Sequence, residues 1–233
     1  MNKYLLIVVS FIIALALFTA CTDENPEPND VFFGYNYFPL KTGESMIYKV
    51  TEINIDKPSN VFDTSVYFIR EIVDIPLIDN ENDTAYRIER YYREFENEKW
   101  IIHSVWTSKT TSLTAEKTEE NQRFVKIRFP VKQNYTWNGN LYNDLTKQDY
   151  WISSYNTSFL HENFSFDSCL TVMHDSSKSL IHLNRAYEVY AYNVGLIYKE
   201  QTYINSQEVI YEIPIEGRVT TGTIYIQELV EIE

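Results

Sequence analysis

Glycine and cysteine are both scarce in this 233-residue chain, with six of the first and two of the second. So few glycines leave little room for a loop that cradles phosphate, and no Gly-x-Ser-x-Gly nucleophile elbow occurs. Two cysteines, Cys21 and Cys169, cannot build a disulfide framework. The four histidines, His103, His161, His174 and His182, form no His-Glu-x-x-His and no Cys/His cluster, so no metal-site pattern is present. Basic residues are outnumbered, 20 against 33 acidic, giving a net charge of −13. Such a chain repels phosphate backbones, which argues against nucleic-acid binding. Long apolar runs are also missing. The longest, Tyr4 to Phe18, has 15 residues, short of the roughly 20 that span a bilayer as a helix.

That run is placed as in a bacterial lipoprotein signal. Lys3 precedes it, Phe18-Thr19-Ala20-Cys21 ends it, and the polar stretch Thr22 to Asp30 follows. The reading makes residues 1–20 a removed signal, Cys21 the lipid-bearing residue and 21–36 a flexible acidic tether. The alternative is an uncleaved anchor. Pro26 and Pro28 keep the tether extended, and Asp23, Glu24, Glu27 and Asp30 make it acidic. With Cys21 lipidated, Cys169 has no intrachain partner and reads as a buried thiol. The expected address is the outer membrane, with the cell-surface side favoured over the periplasmic side.

What is abundant is aromatic: 19 tyrosines, 13 phenylalanines and four tryptophans. Aromatic and β-branched side chains suit a pleated, half-buried surface. Period-two alternation recurs at Tyr86/Ile88/Tyr92, Trp100/Ile102/Trp106 and Ile224/Ile226, with its clearest case at Val125/Ile127/Phe129/Val131. There Lys126, Arg128 and Lys132 take the opposite face. Thr110 to Gln122 reads as a loop or short helix. Asn143 to Asn156 has room for a helical turn, and Val209 to Ile215 reads as a strand. About ten strands with short connections predict one all-β domain over 37–233, with little helix. An antiparallel curved sheet closing as a barrel or half-barrel is expected, with a two-sheet sandwich as the alternative.

Three stretches carry a resemblance: Tyr37-Phe38-Pro39-Leu40-Lys41-Thr42-Gly43, Glu119 to Val131 leading to Trp137-Asn138-Gly139-Asn140, and Glu188 to Glu200. Together they resemble a group of Bacteroidota envelope lipoproteins of uncharacterised function. The shorter Val194-Gly195-Leu196 pattern with its trailing Tyr-Lys-Glu is also similar to LolA-like open-barrel envelope proteins. The resemblance implies an envelope address and supplies no catalytic motif. Asn193 and Gly195 are expected to take positive-φ turn or bulge positions.

Trp100, Trp106, Trp137 and Trp151, with Tyr91, Tyr92, Tyr150 and Tyr155, are the candidate binding aromatics. They suit a glycan platform or an apolar cavity, and equally a sheet core. Thr84, in Asp83-Thr84-Ala85, matches a short O-glycosylation pattern. Glu89, Glu94, Glu119 and Glu120 are the carboxylates from which a glycosidase pair could be drawn, which needs one raised pKa and roughly 5–9.5 Å between carboxyls. No catalytic residue and no cofactor motif emerges. The expected role is a non-catalytic binding or assembly module, with a lipid carrier and a glycan-acting hydrolase as alternatives.

Overall fold

The computed structural model describes residues 33–161 and 164–233, so Cys21, the apolar run and the tether to residue 32 lie outside them. Twelve strands follow in order: β1 Ser45–Asp56, β2 Val61–Ile78, β3 Thr84–Arg93, β4 Ile101–Thr110, β5 Thr114–Glu119 and β6 Gln122–Arg128. The second half holds β7 Thr136–Asn138, β8 Asp149–His161, β9 Phe164–Lys178, β10 His182–Ala191, β11 Gly195–Asn205 and β12 Thr221–Ile232. All belong to one antiparallel sheet in the order β6-β5-β4-β3-β2-β1-β12-β11-β10-β9-β8-β7. The two halves of the chain are meanders, joined where β1 pairs with β12 (Val50 opposite Gln227).

The sheet curls until its edges β6 and β7 nearly meet, forming a nearly closed barrel with almost no helix. Hydrogen bonds bridge the seam, two of them at Val125. Val125 N donates to Gly139 O at 2.9 Å, and Trp137 Nε1 donates to Val125 O at 2.8 Å. Closure satisfies edge groups that a flat sheet would expose. It also rules out the two-sheet sandwich.

One end of the barrel is stopped by residues 33–40. Tyr35 Oη donates to Ser112 O, Asn193 N to Asn36 O, and Val131 N to Phe33 O. These partners lie in three different connections around the same rim. Gly34 has φ +85°, and a Cβ there would come within 2.5 Å of Val131, so glycine alone fits. Tyr37 packs inward on an apolar cluster of Ala115, Ile127, Phe129, Ile152, Leu170 and Tyr190. Asn193 (φ +61°) and Gly195 (φ +99°) take left-handed conformations in the β10–β11 turn, as expected from the sequence.

Outside, the β8–β9 hairpin bends across the wall. Phe159 and His161 meet Tyr198, at 5.7 and 5.0 Å between ring centroids, and His161 Nε2 lies 2.5 Å from Glu228 Oε2. The outer wall elsewhere carries ion pairs, Lys49–Glu228, Arg70–Glu233 and Arg87–Asp74. An apolar lipid-facing band would exclude them.

Three local expectations change. Thr110 to Gln122 is neither loop nor helix but contains β5. Asn143 to Asn156 contains the start of β8 and no helical turn. Val209 to Ile215 is no strand: it leads into a short 3-10 turn, Ile215–Gly217, whose Ile215 packs with Val219 on Ile55, Leu183 and Ile204. Pro214 has no amide proton for a ladder. Arg218 holds that segment, its guanidinium donating to Leu180 O, Ile213 O and Glu208 O.

Candidate functional site

The barrel interior holds a cavity of about 320 Å³ lined from strands β2 to β6 and β10 to β12. Its wall residues recur two apart: Tyr67/Ile69/Glu71, Arg90/Tyr92, Lys117/Glu119, Glu188/Tyr190, Lys199/Gln201 and Tyr225/Gln227. That is the spacing of one strand face. Phe38, from the stopper, lines it at one end, and the exposed His103 lines it near the start of β4.

The lumen is charged, with three carboxylates and four cations. Glu71 accepts from Arg90 Nε at 2.9 Å and from Lys117 Nζ at 2.7 Å. Between these two donors' strands stands Trp106, whose ring centroid lies 3.7 Å from the Arg90 guanidinium carbon and 4.9 Å from Lys117 Nζ. Across the lumen, the Lys126 ammonium bridges Glu119 (2.8 Å) and Glu188 (3.0 Å). Tyr190 donates its hydroxyl to Glu188, and Lys199 approaches that residue at 3.8 Å.

Two irregularities build this second group. The β5–β6 register passes from Ala115↔Ile127 to Glu116↔Val125, leaving Lys126 as the extra residue. The β9–β10 register passes from Asp175↔Ala186 to Met173↔Tyr187, leaving His174 extra. A bulge re-aims a side chain, and here both bulged residues reach Glu188: Lys126 Nζ at 3.0 Å and His174 Nε2 at 3.4 Å. His174 stacks on Tyr150, centroids 3.9 Å apart, and does not meet His182, which bonds Ser179 instead.

Electrostatics follow from the pairing. Burial alone would raise Glu119, but Lys126, Lys199 and Lys117 bring its carboxyl down to about 2. Burial opposes ionisation of Glu188 too, and Lys126, His174 and Lys199 hold it well below the ordinary carboxylate value. Burial lowers His174, outweighing the attraction of Glu188. All three lumen carboxylates are therefore ionised at neutral pH while His174 is neutral. An acid so poised cannot serve as a proton donor at pH 7.

The sequence candidates divide. Trp106 lines the cavity, as does Tyr92. Trp137 is buried at the seam, and Tyr150 is buried beside it. Trp100 lies under the Arg93 guanidinium at 4.2 Å, and Trp151 is half-buried on β8. Tyr91 donates to Glu89, and Tyr155 is exposed. Thr84 is exposed at the start of β3. Of the four candidate acids only Glu119 lines the cavity; Glu89 meets Arg87, Glu120 accepts from Trp106 Nε1 and Glu94 is exposed. Cys169 is buried, and burial pushes its thiol up to about 11.

Outside the lumen, Asp79, Glu81 and Asp83 cluster closely enough for a cation. The Lys109 ammonium fills that place, 2.7 Å from Asp79 and 3.0 Å from Asp83 and in contact with Glu81.

No protein-family model and no curated protein matches the chain. Among solved structures, a candidate lipoprotein from Parabacteroides distasonis is similar at a TM-score of 0.38 and 14% identity. The match covers 83% of this chain and 98% of that one. A likeness of that size assigns neither family nor function, and the cavity has to be read from its own residues. Lys126, Glu188, Lys199, Gln227, Glu71 and Arg90 carry no motif. Their one trace in the sequence is a charged or amide residue alternating with apolar ones inside a strand.

Proposed function

We propose that this chain is an outer-membrane lipoprotein, tethered through lipid on Cys21, whose barrel is a non-catalytic module binding a small polar ligand. The observation that carries the binding half is the cavity itself, large enough for a metabolite and lined by aromatic rings and ion-paired charges. Charge disfavours an apolar cargo, since burying lipid against seven ionised groups would strip their hydration without replacing it. Its lining includes no serine, threonine or cysteine, and its acids are held ionised, which disfavours the hydrolase.

The address rests on Lys3, the apolar run and Cys21, and the acidic tether favours the outer face. Cys21→Ser should move the protein almost wholly from the membrane pellet to the soluble fraction and abolish palmitate labelling. A Cys21→Ser protein still pelleting with the outer membrane would overturn that half. Native mass spectrometry of protein extracted from its own envelope tests the other half. A retained small molecule, lost in Trp106→Ala, is the expected result, and a wild-type protein that is uniformly empty speaks against it.

A further inference from the structure

Every lumen carboxylate is engaged by a cation within 3.0 Å, but the converse does not hold. Three carboxylates face four cations, so the lumen carries one surplus positive charge inside a chain whose net charge is −13. Arg90, Lys117 and Lys126 are each within 3.0 Å of a carboxylate. Lys199, among the described residues, comes no nearer to one than 3.8 Å, and its side chain is the most open of the four, at 17% against 5–11%.

A second, independent deficit sits beside it. Gln227 is 3% exposed, and its Oε1 accepts from Tyr225 Oη at 2.7 Å. Its Nε2 is buried and has no hydrogen-bond partner among the described residues. A buried donor without an acceptor costs free energy that most proteins avoid. Lys199 and Gln227 are directly opposite each other in the β11–β12 register and both line the cavity. A loosely paired ammonium, 3.8 Å from Glu188 and 5.7 Å from the Tyr225 ring centroid, and an unpaired amide donor thus stand side by side, where one acceptor group would serve both.

We infer that the cavity takes a small organic carboxylate, its anionic oxygens held between Lys199 and Gln227 and its body against the Trp106 and Tyr92 rings. One carboxylate neutralises the single surplus charge and supplies acceptors for both donors. A dianionic phosphate would overfill it, and a cationic ligand would meet the surplus head-on. The aromatic wall adds stacking for a planar body. This inference rests on reading the barrel as a binding module, and narrows it to one chemical class.

Three probes with one ring system separate charge from shape: indole-3-acetate, indole-3-acetamide and tryptamine, each titrated by calorimetry into the whole protein. The acid is expected to bind at least ten-fold tighter than the amide, with tryptamine giving no heat. Lys199→Met and Gln227→Leu should each weaken the acid on the order of ten- to a hundred-fold, while the amide changes little. The two substitutions act on different strands, and thermal melting verifies that each variant is folded. If amide and acid bind equally and both are lost in Trp106→Ala, the carboxylate assignment falls while the binding module stands. If none of the three binds, the assignment also falls, and the retained-ligand measurement above judges the module separately.

Discussion

Lys126→Met is expected to lose about 3–5 kcal/mol of unfolding free energy at pH 7, because it strands two buried carboxylates. Glu119 and Glu188 both depend on that ammonium, at 2.8 and 3.0 Å, and the Glu188 side chain is only 2% exposed. A domain of this size has roughly 5–15 kcal/mol in hand, so urea unfolding should show a much lower midpoint. The pH dependence should change sign as well. In the natural protein these carboxyls are depressed, so their stabilisation is present above the ordinary carboxylate value of 4.5. It is lost as pH falls through their folded values, about 2 for Glu119 and well below the ordinary carboxylate range for Glu188. Without Lys126, burial dominates and raises Glu188, so the variant should gain stability as pH drops from 7 to 5. Adding Glu188→Gln to Lys126→Met should recover part of the loss, since it removes one of the stranded charges. A single variant within about 1 kcal/mol of the natural protein, with an unchanged pH profile, would refute the account.

Trp137→Ala is the second large effect, with an expected loss of about 3–5 kcal/mol from the vacated volume. Trp137 is 3% exposed and packs edge-on to Tyr150, centroids 6.3 Å apart. Its indole N–H also satisfies Val125 O across the seam. Trp137→Phe keeps most of the packing and drops that bond, so about 1–3 kcal/mol should go with it. The diagnostic readout is amide exchange. Protection of the Val125 N–H, which bonds Gly139 O, should fall in both variants more than protection at the β1–β12 junction. Equal loss everywhere would mean that the seam is not a separate opening unit.

Strand content was legible because aromatic and β-branched residues alternate, and antiparallel pairing because the connections are short; closure as a barrel was expected only from the cost of open edges, with a sandwich as the alternative. The lumen was not legible, for a physical reason: its face is charged. β5 reads Thr114-Ala115-Glu116-Lys117-Thr118-Glu119, polar on both faces, so hydrophobic periodicity had nothing to detect. Alternation set Lys126, with Arg128 and Lys132, on the face opposite Val125 and Ile127, yet all three of Val125, Lys126 and Ile127 are buried. The register skip at Lys126 breaks that alternation, and it is the skip that lets Lys126 reach Glu188. Val209 to Ile215 erred the other way: Ile215 packs on Ile55, Leu183 and Ile204 rather than pairing, and Val209, Tyr211 and Ile213 are exposed. Among the tryptophans, sequence could not sort Trp106 in the cavity from Trp137 in the core, because which face of its strand each occupies after closure is set by long-range pairing.

The stopper has a mechanical consequence. Phe33 is anchored by Val131 N, and Asn36 by Asn193 N at 2.7 Å and by its own side-chain bond to the Asn193 carboxamide at 2.6 Å. Two residues on, Phe38 lines the lumen cavity. Tension applied to the chain ahead of Phe33 is borne by this handful of cross-rim bonds before it loads any rung of the β ladder. A protein pulled from that end would therefore feel the force at the floor of its lumen first, like a cork drawn from inside a flask.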